Sequence, residues 1–173
     1  MAKSRWLGAV AILTVGLLPA ATQGQDRVSA TLTRTYVIVE NTELTGDVTC
    51  DITGAPCFSF GASNAELRLN GFTVTGKADP VTGCTGAFFA NEYGVTTNGQ
   101  HNVVIRGPGL IQRFRLHGIR VIDSRGTRIE GLTASTNCGS GIRVMGTAFD
   151  TLVEGNTLVR NGSTMAGASC GGI

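Results

Sequence analysis

Three phrases decide how this chain folds: Val104-Ile105-Arg106-Gly107, Arg128-Ile129-Glu130-Gly131 and Leu152-Val153-Glu154-Gly155, spaced 24 residues apart. A second set runs out of phase with them. Gly94-Val95-Thr96 returns as Gly118-Ile119-Arg120-Val121 and as Gly141-Ile142-Arg143-Val144, at spacings of 24 and 23. Two strand-like phrases in one repeating frame predict stacked coils, each burying its apolar side against the next. A third strand follows the glycine of the first set, with Val74, Leu110, Ala134 and Leu158 at one offset. Short strands, glycine corners and 23–24 residues per coil predict an all-β parallel β-helix.

Alternation then assigns faces. Ile105, Ile129 and Val153 form one inward column. Val95, Ile119 and Ile142 form a second, and Val121 and Val144 a third. Thr96, Arg120 and Arg143 form one outward row; Asn70, Arg106, Glu130 and Glu154 form another. Asn137 and Asn161 recur at one corner, where an amide side chain can bond the turn backbone. Working outward, Gly71 joins the glycine series once an insertion of 12 residues is placed in Lys77–Glu92. Repeat proteins put such insertions in loops on one face, often the binding face.

The ends read differently. Lys3 and Arg5, the apolar run Leu7–Leu18, Pro19 and the small residues after it predict a secretory signal peptide over residues 1–24. The run is shorter than the ~20 residues of a membrane span, so no membrane association is expected after cleavage. Residues 25–41 read as an N-terminal lead-in, with Tyr36-Val37-Ile38-Val39 as a strand at its end, and 42–173 as the repeats. Neither end shows the polar cap that solenoids need. The chain stops at Gly172-Ile173, in the manner of a further Gly-Ile strand, so the C-terminal end reads as cut short or as completed by another subunit.

Of the 14 basic residues, Lys3 and Arg5 belong to the predicted signal; 12 basic then face 12 acidic residues. A neutral chain argues against nucleic acid as a partner. Five cysteines in an exported chain permit disulfides. Cys50 and Cys57 flank the turn Gly54-Ala55-Pro56, and Cys138 and Cys170 occupy matching corners, with Cys84 competing for the same partner. No C-x-x-C pair occurs, and no metal or other cofactor is expected.

Leu67-Arg68-Leu69-Asn70-Gly71-Phe72-Thr73-Val74, the Gly-Ile strands and the Ile-x-Gly corners resemble the right-handed parallel β-helix superfamily, from about Thr42 onward. That superfamily includes pectate lyase-like proteins, polygalacturonases, alginate epimerases and NosD-like carbohydrate-binding repeats. The resemblance implies a right-handed, single-stranded parallel β-helix and a groove for polysaccharide along one sheet. It transfers no catalytic residue. The positions that carry Asp before Gly-Ile strands in polygalacturonase-like enzymes are Tyr93, His117 and Ser140 here. His117-Gly118 keeps half of a Gly-His-Gly motif, Arg128-Ile129-Glu130 has Glu where an Arg-Ile-Lys motif has Lys, and the calcium-binding Asp cluster has no counterpart.

Two constellations remain. Glu130 and Glu154, stacked about 5 Å apart, match the carboxylate pair of a retaining glycosidase, or else form an ion-pair ladder with Arg106. Thr96, Arg120 and Arg143, with His117 and Asp123 beside them, form a row suited to gripping polysaccharide, or else a solvated strand face. Tyr93, Phe88 and Phe89 are placed near the insertion to stack on sugar rings or to cover the helix side. The expected function is therefore a secreted or periplasmic protein that binds an acidic or neutral polysaccharide along one sheet face. The alternatives are a lyase, epimerase or hydrolase of uronate-rich polymers, and a non-catalytic structural or adhesive solenoid.

Overall fold

The structure, a computed structural model, describes residues 25–79, 84 and 91–162. The predicted signal, Phe88, Phe89, Cys170 and Gly172-Ile173 lie outside them. The first coil holds β1 (Asp26–Val28), β2 (Thr31–Leu32) and β3 (Tyr36–Ile38); the second holds β4 (Thr42–Leu44), β5 (Val48–Cys50) and β6 (Phe58–Phe60). The third has β7 (Glu66–Arg68), β8 (Thr73–Thr75) and β9 (Val95–Thr96), and the fourth β10 (Val104–Arg106), β11 (Leu110–Gln112) and β12 (Ile119–Ile122). The fifth has β13 (Arg128–Glu130), β14 (Thr133–Ser135) and β15 (Ile142–Met145), followed by β16 (Leu152–Glu154) and β17 (Thr157–Val159).

Equivalent strands stack into three sheets. The first runs β1-β4-β7-β10-β13-β16, the second β2-β5-β8-β11-β14-β17 and the third β3-β6-β9-β12-β15. Every pairing is parallel. This is a parallel β-helix. Leu67, Ile105, Ile129 and Val153 fall in one register column of the first sheet. Phe58, Val95, Ile119 and Ile142 fall in one column of the third, and all four are fully buried. One coil cannot bury these side chains alone, so the columns are what hold the coils together.

The Gly-Ile phrase has a steric cause. A β-carbon on Gly118 would lie 2.7 Å from the Asn137 amide, and one on Gly141 would lie 2.7 Å from the Asn161 amide. Those amides bind backbone across the corner. Asn137 Oδ1 accepts from Phe114 N–H at 3.0 Å, and Asn161 Nδ2 donates to the Ala134 carbonyl at 2.9 Å. The corner asparagines therefore act as expected, and the glycines before the third-sheet strands make room for them. Asn161 opens a glycosylation sequon with Gly162 and Ser163, but its amide is committed to this ladder.

Five expectations are corrected. Among the described residues the coils already run from Asp26, not from Thr42: the stretch read as a lead-in supplies β1 and β2, and the strand expected at Tyr36-Val37-Ile38-Val39 is β3. Its step to the second coil is only 16 residues at Arg27–Glu43, so it falls outside the 24-residue period. The inward residue of β11 is Ile111, not Leu110, because Ile111 lies between Val74 and Ala134. The outward neighbour of Arg106 is Arg68. Asn70 instead sits at the corner, where it donates to the Leu44 carbonyl at 3.1 Å. At the first described coil a polar residue stands in an inward column, where no polar residue of that kind was expected. Asp26 continues the column of Thr42 and Leu67, and its carboxylate accepts from the Tyr36 hydroxyl.

The fifth correction concerns cysteines. Cys50–Cys57 is bridged as expected, with Cα atoms 5.7 Å apart. Cys138 pairs with Cys84, Cα atoms 5.3 Å apart, and not with Cys170. The bridge ties the insertion to a coil corner. Two disulfides are compatible with an extracellular or periplasmic location.

Candidate functional site

The register places Val37, Ser59, Thr96, Arg120 and Arg143 in one outward row of the third sheet. Thr96, Arg120 and Arg143 were legible in the sequence. Ser59 was not singled out, although Phe58-Ser59-Phe60 carries its signal: two inward aromatics force the residue between them outward. Two segments stand beside this row: the Gly54–Pro56 turn, and Asn91–Tyr93, which leads into β9. Together they enclose a cleft of about 310 Å³, with Ser59, Thr96, Tyr93, Asn91, Asn98 and Arg120 in its lining.

Each wall is fixed. The Cys50–Cys57 bridge closes the Gly54–Pro56 turn. Glu92, 4% exposed, accepts from Gly54 N–H at 2.8 Å and from Arg115 Nε and Nη2, both at 2.5 Å. This bidentate pair joins the two walls from below. Nothing in the repeat announces the pair, because Glu92 and Arg115 stand 23 residues apart in irregular segments outside the repeated phrases.

The floor is cationic and aromatic. The Arg120 guanidinium carbon lies 4.7 Å from the Tyr93 ring centroid, within cation–π range. The Tyr93 ring stacks on His117, with centroids 5.9 Å apart and planes 3° apart. His117 is thus buried beneath Tyr93, and its Nδ1 accepts from Ser140 N–H at 2.9 Å. Asp123 stands at a corner with φ of 51°, where it accepts from the Thr147 backbone N–H at 2.9 Å and from its hydroxyl at 3.1 Å. Those two hydrogen bonds hold its carboxyl below the usual range. The structure therefore brings Thr96, Arg120 and Arg143 together in the row, puts His117 beneath it, and engages Asp123 with the next coil. Two polar atoms of the floor, Thr96 Oγ1 and Arg120 Nε, are buried without a hydrogen-bond partner. Thr96 itself is only 5% exposed.

Burial, reinforced by Arg143 and Arg120, lowers the His117 pKa from 6.5 to about 4. In the unfolded chain this histidine takes its proton near its ordinary value. In the folded protein it stays neutral until about pH 4. The histidine's contribution to stability should therefore fall as pH drops from about 6.5 to about 4, by at most about 3 kcal/mol, and that contribution should level off below about pH 4. Urea midpoints across this range, compared with those of His117→Gln, test this. An equal slope in the variant would assign the loss to other groups.

The paired-carboxylate candidate resolves into a ladder. Glu130 and Glu154 are register partners, as expected. The Glu130 carboxylate is held by Arg106 Nη1 and by Arg128 Nε, each at 2.5 Å, and Arg106 Nε also reaches Glu66 at 2.5 Å. Glu154 is exposed beyond it. Among the described residues no group of three or more His, Cys, Asp or Glu is placed to hold a metal ion. Comparison with protein-family models, curated proteins and solved structures finds no match to the chain.

Proposed function

We propose that this protein binds polysaccharide along the outer face of the third sheet, in the cleft lined by Ser59, Thr96 and Arg120, with Arg143 next in the same row. The observation that carries the reading is the pair of buried, unpartnered polar atoms at its floor, Thr96 Oγ1 and Arg120 Nε. A buried hydroxyl or guanidinium N–H without a partner costs free energy, and a ligand oxygen that reaches either of them relieves it. Asn91 and Asn98 add amides that donate and accept, as sugar hydroxyls do. Arg120 and Arg143 add the charge for an acidic group.

The β-helix, the apolar N-terminal run and the two disulfides together support a secreted or periplasmic member of the right-handed parallel β-helix superfamily. Glu130 sits on a different sheet from the cleft and is engaged by two arginines, so the binding reading is favoured over the hydrolytic one. Glycan-array binding tests the proposal. Arg120→Ala/Arg143→Ala should weaken the best ligand about 10- to 100-fold, the worth of one or two charged hydrogen bonds. Binding unchanged in that variant would remove the cleft from the function.

A further inference from the structure

The outward row of the third sheet changes character along the solenoid axis. Val37 in β3 stands 53% exposed at one end. Ser59 and Thr96 follow with hydroxyls, and Arg120 and Arg143 complete the row with guanidinium groups. At about 4.8 Å per coil the row spans about 19 Å, room for several sugar residues. All of its positive charge lies in the last two steps. At the other end, the hollow of about 340 Å³ beside Val39 is lined by Glu40, a like charge to any anion approaching there.

An acidic group brought against this face must find a cation or bear its desolvation unpaired. Over Arg120 and Arg143 it is paired. Over Val37 and Ser59 it meets an isopropyl group and a hydroxyl, and no cation of the row. A chain carrying a carboxylate on every unit is thus poorly matched to the row. A chain of uncharged units matches the first three positions, where the unpartnered Thr96 hydroxyl takes a sugar oxygen.

We infer that the ligand is a glycan lying along the solenoid axis, uncharged between Val37 and Thr96 and bearing its anionic group at one end, against Arg120 and Arg143. This rests on the polysaccharide reading and narrows its ligand class. The test is an array of glucan, mannan, xylan and galactan hexasaccharides, each neutral and each sulfated once at one end. Hexamers of galacturonate and mannuronate complete it, and titration calorimetry follows on the best binders. A singly sulfated chain should bind about tenfold or more tighter than its neutral parent and than either uronate hexamer. A uronate hexamer that binds as tightly overturns the end-charge inference and leaves the polysaccharide reading standing. Binding of none of the probes overturns both.

Val37→Arg, at an exposed position, extends the cationic row to the neutral end. It should strengthen galacturonate-hexamer binding several-fold and leave the singly sulfated ligand no tighter. Unchanged galacturonate binding in that variant would mean that the chain does not reach Val37, and would overturn the axial placement.

Discussion

Glu92→Gln should unfold at clearly lower urea than the parent protein, with a loss of about 3–5 kcal/mol. Glu92 is 4% exposed, and both of its oxygens are taken by Arg115, with Gly54 N–H sharing one. The Arg115 side chain is 15% exposed. Taking the carboxylate charge away removes the bidentate partner of a guanidinium in a site with little water, and breaking such a buried pair costs more than the pair adds to stability. Glutamine keeps the size and one acceptor for Gly54, so the loss reads the charge and not a cavity. The contrast is Glu43→Gln. Its partner Arg27 is 73% exposed, and the change should cost under about 1 kcal/mol. Equal losses in the two variants would show that Glu92 is not buried as described. Because the same pair joins the walls of the cleft, Glu92→Gln should also weaken glycan binding, whereas Glu43→Gln should not.

What the sequence disclosed follows the period. Ile105, Ile129 and Val153 were legible as a column because each lies 24 residues from the next and each precedes a polar residue and a glycine. The outward row Thr96, Arg120 and Arg143 was legible for the same reason. The reading failed where corners change length. The corner between β10 and β11 holds Gly107, Pro108 and Gly109, one residue more than Gly131 and Leu132 between β13 and β14. That extra residue moves the inward position from Leu110 to Ile111. The corner between β7 and β8 is longer still, Leu69 to Phe72, and aligning on Gly71 therefore put Asn70 where Arg68 belongs. In the first coil only the Tyr36-Val37-Ile38 strand was legible; β1 and β2 were not, because that coil is too short to share the period. The walls of the cleft were missed because they are irregular: a loop has no periodicity, and nothing in the spacing of Glu92 and Arg115 announces that they meet. The floor of the candidate site was thus half legible, as strand residues are, and its enclosure was not.

The second large effect concerns the bridge that the spacing left open. Replacing both Cys84 and Cys138 with Ser should lower stability by about 4 kcal/mol, and replacing Cys50 and Cys57 by about 2 kcal/mol. The difference comes from the chain between the sulfurs. Cys84 and Cys138 are separated by 54 residues, and Cys50 and Cys57 by 7. A longer closed loop removes more conformations from the unfolded ensemble. Native contacts point the same way. Cys138 is buried, and Gly139 N–H donates to the Leu116 carbonyl. Ser140 N–H donates to His117 Nδ1, so the corner that the bridge anchors is the one that holds the histidine beneath Tyr93. The Cys84→Ser/Cys138→Ser variant should therefore lose glycan affinity along with stability, while Cys50→Ser/Cys57→Ser loosens only the Gly54–Pro56 wall. Thermal unfolding and glycan titration of the two double variants decide between this account and its rival. If the short-loop variant loses as much stability as the long-loop one, chain entropy is not what these bridges contribute. If the long-loop variant keeps full affinity, the corner at Cys138 does not shape the floor of the cleft.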